Sequence, residues 1–206
     1  LAELESVVLL TMHHIIADGW SMEVLLQELA WLYRAHLTGA DPTLPALPIQ
    51  YGDFAVWQRE WLQGEVLERQ LSYWREQLSG TLPVLQLPTD FPRARVQTFR
   101  GAVEDFALSA ELSDRLKSLA QKHSTTLFVT LLTAFKVLLF RYTGQPDVLV
   151  GTPIANRHHA EVEGLIGFFV NTLVLRSRLT PQAPFLDVLE HLKVTTYNAY
   201  EHQDLP

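Results

Sequence analysis

The chain has 206 residues, 48% hydrophobic and 19% charged, which excludes a disordered chain and supports the core of one large domain or two small ones. A net charge of −7 argues against a nucleic-acid binder. The absence of cysteine removes disulfides, thiolate metal sites and cysteine nucleophiles together, and fits a reducing, cytoplasmic compartment.

Residues 1–6 carry two Glu and no basic residue, unlike a signal peptide. Residues 7–12, VVLLTM, are apolar on both alternating faces, as in a central strand covered on both sides. A domain rarely opens so close to its most buried strand, so the chain reads as a piece of something longer. Ser21 suits the N-cap of a helix with Glu23 in its first turn. Met22, Leu25, Leu26, Leu29, Leu32, Tyr33, His36 and Leu37 keep the spacing of one buried face, and Gly39 ends the helix. After Pro42, Pro45 and Pro48, Asp53 caps a short helix with Phe54, Trp57 and Trp61. A third helix places Leu67, Leu71, Trp74 and Leu78 on one face. Residues 79–97 hold Gly80, Pro83, Pro88 and Pro92 without a sustained period and read as a linker. A boundary near residue 95 divides the chain into 1–95 and 96–206.

Residues 101–108 alternate as a strand, with Val103 against Glu104 and Phe106 against Asp105. Ser109 caps a helix that uses Leu112, Leu116 and Leu119. The next helix, 126–142, is apolar almost all round apart from Lys136, so deep burial is expected. It is also too short for the roughly 20 residues of a membrane span. Gly144 and Pro146 stop it. Strands follow at 147–154 and 170–176, and Pro184 opens a last helix with Phe185, Val188, Leu189 and Leu192 inward. This order argues for an α/β fold in which helices cover a mixed sheet.

One cluster dominates the chemistry: Met12-His13-His14-Ile15-Ile16-Ala17-Asp18-Gly19-Trp20-Ser21, where a strand gives way to a helix. On a strand, adjacent side chains point to opposite faces, so His13 and His14 cannot share a cavity and one of them is structural. Parity does not decide which. Two adjacent ligands diverge and no third stands near, so a zinc site is unsupported. Neither a P-loop nor a dinucleotide glycine fingerprint occurs. His158 and His159 lie in a polar loop with Glu161 and Glu163 and read as solvated surface.

His13-His14-x-x-x-Asp18-Gly19 resembles the HHxxxDG motif of the condensation domains of nonribosomal peptide synthetases, a motif shared with acyltransferases of the chloramphenicol-acetyltransferase type. Tyr51-Gly52-Asp53-Phe54-Ala55-Val56-Trp57 resembles the family's YxDFAVW block, and Ile166-Gly167-Phe168-Phe169-Val170-Asn171-Thr172 its IGxFVNT block. Gly151-Thr152-Pro153-Ile154-Ala155-Asn156-Arg157 also looks familial, and His202-Gln203-Asp204-Leu205-Pro206 looks like the start of a further block.

The resemblance implies two chloramphenicol-acetyltransferase-like lobes, a two-layer pseudo-dimer with the active site in a tunnel between them. Residues 1–95 would supply the later part of the N-terminal lobe and 96–206 most of the C-terminal lobe. The implied reaction is amide formation: the α-amine of one carrier-bound aminoacyl thioester attacks the carbonyl of another. The phosphopantetheine arms arrive on donor and acceptor carrier domains, beside an adenylation domain, and no cofactor, metal, nucleic acid or membrane is bound by this chain. His14 acts as general base or positions the neutral amine; an α-amine titrates near 7.7–8.0, so both stay open. His13 is a packed structural residue. Asp18 orients the loop through an ion pair with an Arg from a segment outside this chain, so it stands here as a buried lone carboxylate and the isolated chain is destabilised and inactive. Gly19 supplies close backbone approach, a positive φ or an oxyanion contact. Trp20 packs the loop or touches substrate, Ser21 caps, and Asn171 lines the tunnel or joins a structural network; Tyr51, Phe54 and Trp57 pack between helices. The motif looks most like the subtype taking L-configured donors. An epimerising domain, a free-thioester acyltransferase and a catalytically silent docking module are the alternatives.

Overall fold

A computed structural model describes residues 6–92 and 94–206. Residues 1–5, where the signal-peptide question mostly falls, lie outside the described residues, as does residue 93 of the linker. The elements run α1 (Gly19–Thr38), α2 (Tyr51–Trp61), α3 (Gly64–Gln77), α4 (Ala110–Lys122), α5 (Leu127–Thr143), β1 (Asp147–Ile154), α6 (Ala160–Glu163), β2 (Asn171–Arg178) and α7 (Phe185–Glu201). β1 and β2 pair in a two-stranded sheet. Among the described residues no single helix is long and apolar enough to cross a membrane.

The chain gathers into two compact units. The first takes the chain up to Ser72, then Pro153–Thr172 and Gln203–Pro206. Its core is Phe54, Val162, Leu165 and Phe169, with Ile49 packed against them. The second takes Tyr73–Thr152 and Leu173–His202. There α5 packs on α4 and α7. Val129, Leu132, Leu139, Val148, Leu173, Leu175, Leu189 and Leu192 form its buried apolar interior.

Local chemistry explains where the helices start and stop. The Thr126 hydroxyl accepts from the Val129 N–H and the Ser109 hydroxyl from the Leu112 N–H, each filling an orphan donor of a first turn. Gly39 and Gly144 close α1 and α5 in the left-handed region, at φ 68° and 66°, where a side chain would be strained. In α2 the cap is Gln50, not Asp53. Asp53 stands three residues inside and its carboxylate accepts from the Gln50 N–H at 2.8 Å, the reciprocal half of a capping box. In α1 the cap is Asp18, not Ser21, so Glu23 falls beyond the first turn.

Several expectations about burial fail, those for two strands and those for helix faces alike. Alternating or all-round apolar sequence records what a segment can bury, whereas a strand exists only where a second strand meets its N–H and C=O groups. Among the described residues, 7–12 and 101–108 have no such neighbour and form no strand; Leu9 is 85% exposed and Phe106 86%. Helix α5 is buried on one side only, through Val129, Leu132, Thr133, Lys136 and Leu139, while Leu131, Phe135, Leu138 and Tyr142 face outward. On α1, Ser21 and Ala35 are buried but Leu26, Leu29, Tyr33 and Leu37 are exposed, and Phe185 at the start of α7 is partly exposed.

Lys136 is fully buried on the inner side of α5. Its Nζ donates to the Leu175 carbonyl and the Ser177 hydroxyl at 2.6 Å each, and to the Val148 carbonyl at 3.3 Å, so one side chain ties the helix to both strands. Burial pulls its ammonium down to about 7 against a smaller opposing pull from Asp147. Nearby, the Arg176 guanidinium grips both Asp147 oxygens and donates to the carbonyls of Gln77 and Ser79.

Candidate active site

Asp18 is the centre of the first unit's polar core and is 4% exposed. As N-cap of α1 it adopts extended backbone, and its Oδ1 accepts from the Ser21 N–H at 2.9 Å. The Ser21 hydroxyl lies 2.7 Å from the same oxygen and 2.8 Å from the Gly167 carbonyl, two acceptors for one proton. Oδ2 accepts from the Phe169 N–H at 3.0 Å. Burial pushes the Asp18 carboxyl up, but the Ser21 and Phe169 donors and the charge of Arg157 outweigh it and leave the group below its ordinary range.

The partner expected from outside the chain is inside it. Arg157 Nη2 lies 3.2 Å from Asp18 Oδ1 and donates to the Ser21 hydroxyl at 2.9 Å, both side chains being almost wholly buried. Nη1 donates to the carbonyls of Val162 and Leu165. The guanidinium carbon stands 4.0 Å from the centre of the Phe169 ring, a cation–π contact. Asp18 is therefore not a lone carboxylate. The signal that points to Arg157 is a buried acid in need of a buried base, but 139 residues separate the two in sequence.

The histidines stand on a turn rather than a strand end. The Ile16 N–H donates to the His13 carbonyl at 3.1 Å, and His14 and Ile15 are the turn's central residues. Strand parity therefore does not apply. His13 is exposed rather than packed, and its Nδ1 accepts from the Ile15 N–H at 3.0 Å, which braces the turn. His14 is exposed, and its ring meets Phe168 edge to face, centroids 5.3 Å apart at 87°.

Gly19 starts α1 without a positive φ, and a side chain there would meet nothing within 4 Å, so neither strain nor close approach requires it. Gly167 is the glycine that does. A Cβ on it would run into the Tyr51 ring and come within 2.9 Å of Phe169. Its N–H donates to the Ser21 hydroxyl at 3.0 Å, while the Tyr51 hydroxyl donates to the Phe168 carbonyl at 2.8 Å. Tyr51 thus does more than pack between helices. Trp20 donates through Nε1 to the Glu163 carbonyl at 2.8 Å, a loop-packing role.

A family model for the Condensation domain matches residues 1–206. The chain belongs to the condensation domain family. It is 53% identical over its whole length to a linear gramicidin synthase polypeptide of Brevibacillus parabrevis, of which it covers 4%. The X-domain from teicoplanin biosynthesis aligns with a TM-score of 0.84 and 28% identity over 94% of this chain and 44% of that one. That X-domain has also been solved in complex with OxyB. The condensation domain from the Monacolin K polyketide synthase aligns with a TM-score of 0.73 and 27% identity over 94% of this chain and 45% of that one. The α/β, chloramphenicol-acetyltransferase-like fold class is that of these neighbours. This chain spans less than half of either solved domain.

Within this condensation domain chain, Asn171 joins a structural network. Its amide donates to the carbonyls of Gln203 at 2.9 Å and Leu205 at 2.7 Å, and its oxygen accepts from the Thr172 N–H. Gln70 donates to Asp204 at 3.0 Å. His158 and His159 are exposed, and His159 meets the Trp57 ring edge-on, centroids 5.0 Å apart. Among the described residues no three metal-ligating side chains cluster. The Arg157 ion pair, the Tyr51 hydroxyl bond and the glycine requirement at 167 were not among the sequence expectations. Each depends on contacts across a long sequence separation.

Proposed function

We propose that this chain carries the acceptor-side chemistry of amide formation in nonribosomal peptide synthesis, an acyl transfer between two carrier-bound thioesters. The observation that carries the reading is the exposed His14 imidazole, held on a braced turn a few residues from the Asp18–Arg157 pin. The acceptor's α-amine attacks the donor thioester carbonyl, the new C–N bond forms, the C–S bond breaks, and the amine's proton ends on the departing thiolate. His14 accepts that proton transiently or holds the neutral amine in line. Asp18, Ser21 and Arg157 hold the loop that presents it, Gly19 opens the helix behind it, His13 is the brace, and Trp20 and Asn171 are supports. The thioesters travel on phosphopantetheine arms of donor and acceptor carrier domains, beside an adenylation domain, in the cytoplasm. In that parent, 1–95 belongs to the first lobe and 96–206 to the second, the donor is L-configured, and the chain alone is inactive.

The test restores the parent synthetase module, loads both carriers with aminoacyl-phosphopantetheine and follows dipeptide on the acceptor carrier by intact-protein mass spectrometry. Product from wild type and a loss of about 100-fold or more with His14→Ala supports the reading, the usual scale for a positioned acid–base group. Absence of product from wild type, with carriers bound, favours the docking module, a reading kept in view by the fold shared with an X-domain solved in complex.

A further inference from the structure

Three consecutive residues beside His14 are fixed by their backbones. The Gly167 N–H donates to Ser21, the Phe169 N–H donates to Asp18, and between them the Phe168 carbonyl accepts from Tyr51. The Tyr51 ring also fills the space a side chain at 167 would need, and it stands edge-on to Phe169, centroids 5.0 Å apart. Phe169 turns inward and is 3% exposed, whereas Phe168 remains 38% exposed and turns to His14. The turn carrying His14 is closed by its own hydrogen bonds, so the imidazole's remaining freedom is rotation of its side chain. Phe168 stands across that rotation at a right angle, within the separation at which aromatic pairs attract.

We infer that Phe168, anchored by the Tyr51 hydroxyl, is a positioning residue that sets the orientation of the His14 imidazole; the inference rests on His14 being the group that meets the acceptor amine. An exposed histidine on a turn otherwise samples several rotamers, and only a fraction point the ring nitrogen at the amine. An aromatic pair of this geometry restricts that sampling by an amount that corresponds to about 3- to 10-fold in rate. Phe168 meets the imidazole edge to face, so an effect that disappears without His14 is what separates a positioning residue from a wall of the substrate path.

The experiment is a double-mutant cycle in the parent synthetase module, read as single-turnover dipeptide formation on loaded carriers. Phe168→Leu is expected to lower the rate constant about 3- to 10-fold with unchanged half-saturation by the acceptor carrier. Phe168→Tyr, which keeps the ring, retains the wild-type rate. In a His14→Ala background Phe168→Leu costs nothing further. An equal loss in both backgrounds, or a change confined to half-saturation, would overturn the inference and mark Phe168 as a wall of the substrate path. If the His14→Ala rate falls below detection, the split between rate constant and half-saturation and the behaviour of Phe168→Tyr decide. If Phe168→Leu fails to fold, Tyr51→Phe removes one hydrogen bond while keeping every ring; a loss of about 2-fold that persists without His14 sinks the idea equally. Full activity of His14→Ala refutes the reading of the site itself, a result distinct from any of these.

Discussion

Asp18 in the first unit and Lys136 in the second are both withdrawn from water, yet their charges are handled in opposite ways. Asp18 faces a buried counter-charge, Arg157, and three protein donors, and its carboxyl lies below its ordinary range. Lys136 is met by two carbonyls and a hydroxyl, all neutral, and its ammonium is pulled down to about 7. The first arrangement fixes one protonation state across all neutral conditions. The second leaves a group that titrates inside the physiological range. Both arrangements fix geometry, but a buried charge held by neutral acceptors leaves stability tunable by pH near neutrality, whereas one held by a counter-charge does not.

Breaking the ion pair is the severest test of that contrast. Arg157→Met leaves the Asp18 carboxylate buried with its neutral donors and without a counter-charge, and should lower stability by about 3–5 kcal/mol in urea unfolding, the usual cost of an orphaned buried charge. Adding Asp18→Asn should restore part of the loss, because the stranded charge is gone. A single-variant loss below about 1 kcal/mol would mean that the pair does not organise the first unit. Its own pH dependence follows from the sign of the shift. A lowered folded pKa gives stability that is present above the ordinary carboxylate range and lost as pH falls through the folded value, so neutral pH leaves it untouched.

The second unit should behave in the opposite sense. Between about 7 and 10.5 the unfolded chain keeps the Lys136 proton and the folded chain has released it. Raising pH through that window therefore stabilises the fold, by up to about 1.4 kcal/mol per pH unit, and below it the contribution is flat because both states hold the proton. Lys136→Met should abolish this slope in denaturation curves collected from pH 6 to 9. A wild-type slope unchanged by the substitution would show that the three acceptors keep the ammonium charged throughout.

How far these features were visible beforehand differs by kind. Helices α4 and α7 follow from periodicity with Ser109 and Pro184, and α5 from its long apolar run stopped at Gly144, because caps, spacing and stops act within a few residues. The strand at 7–12 does not exist among the described residues, because strand formation depends on a neighbour that local sequence cannot supply. The same division holds in the site. The motif itself stands in one stretch, from His13 to Ser21, whereas its pin, Arg157, and its tight approach, Gly167 under Tyr51, join segments far apart in sequence.

The two motif glycines sharpen this at a smaller scale. Gly167→Ala should cost about 1–3 kcal/mol, since the Phe169 ring belongs to the core and the Tyr51 ring can withdraw only by giving up its hydroxyl bond to the Phe168 carbonyl. Gly19→Ala adds a methyl to open space at the start of α1 and should change stability by less than about 0.5 kcal/mol. Equal effects in thermal melts would remove the distinction between a crowded glycine and a free one.

The smallest expected effect concerns the caps themselves. Asp18 and Thr126 do the same local job, each accepting an N–H three residues on, but Asp18 also binds Arg157 and Phe169. Thr126→Ala removes one partly buried hydrogen bond and a methyl group, so it should cost about 1 kcal/mol, with Thr126→Ser close to neutral. That loss should be the same from pH 6 to 9, because no proton is gained or released at the site. Asp18→Ser retains a capping oxygen while deleting the charge, and it should cost several times as much because Arg157 is then stranded. Matching losses for Thr126→Ala and Asp18→Ser would reduce Asp18 to an ordinary cap; a wide gap assigns most of its contribution to the buried pair that anchors the histidine turn.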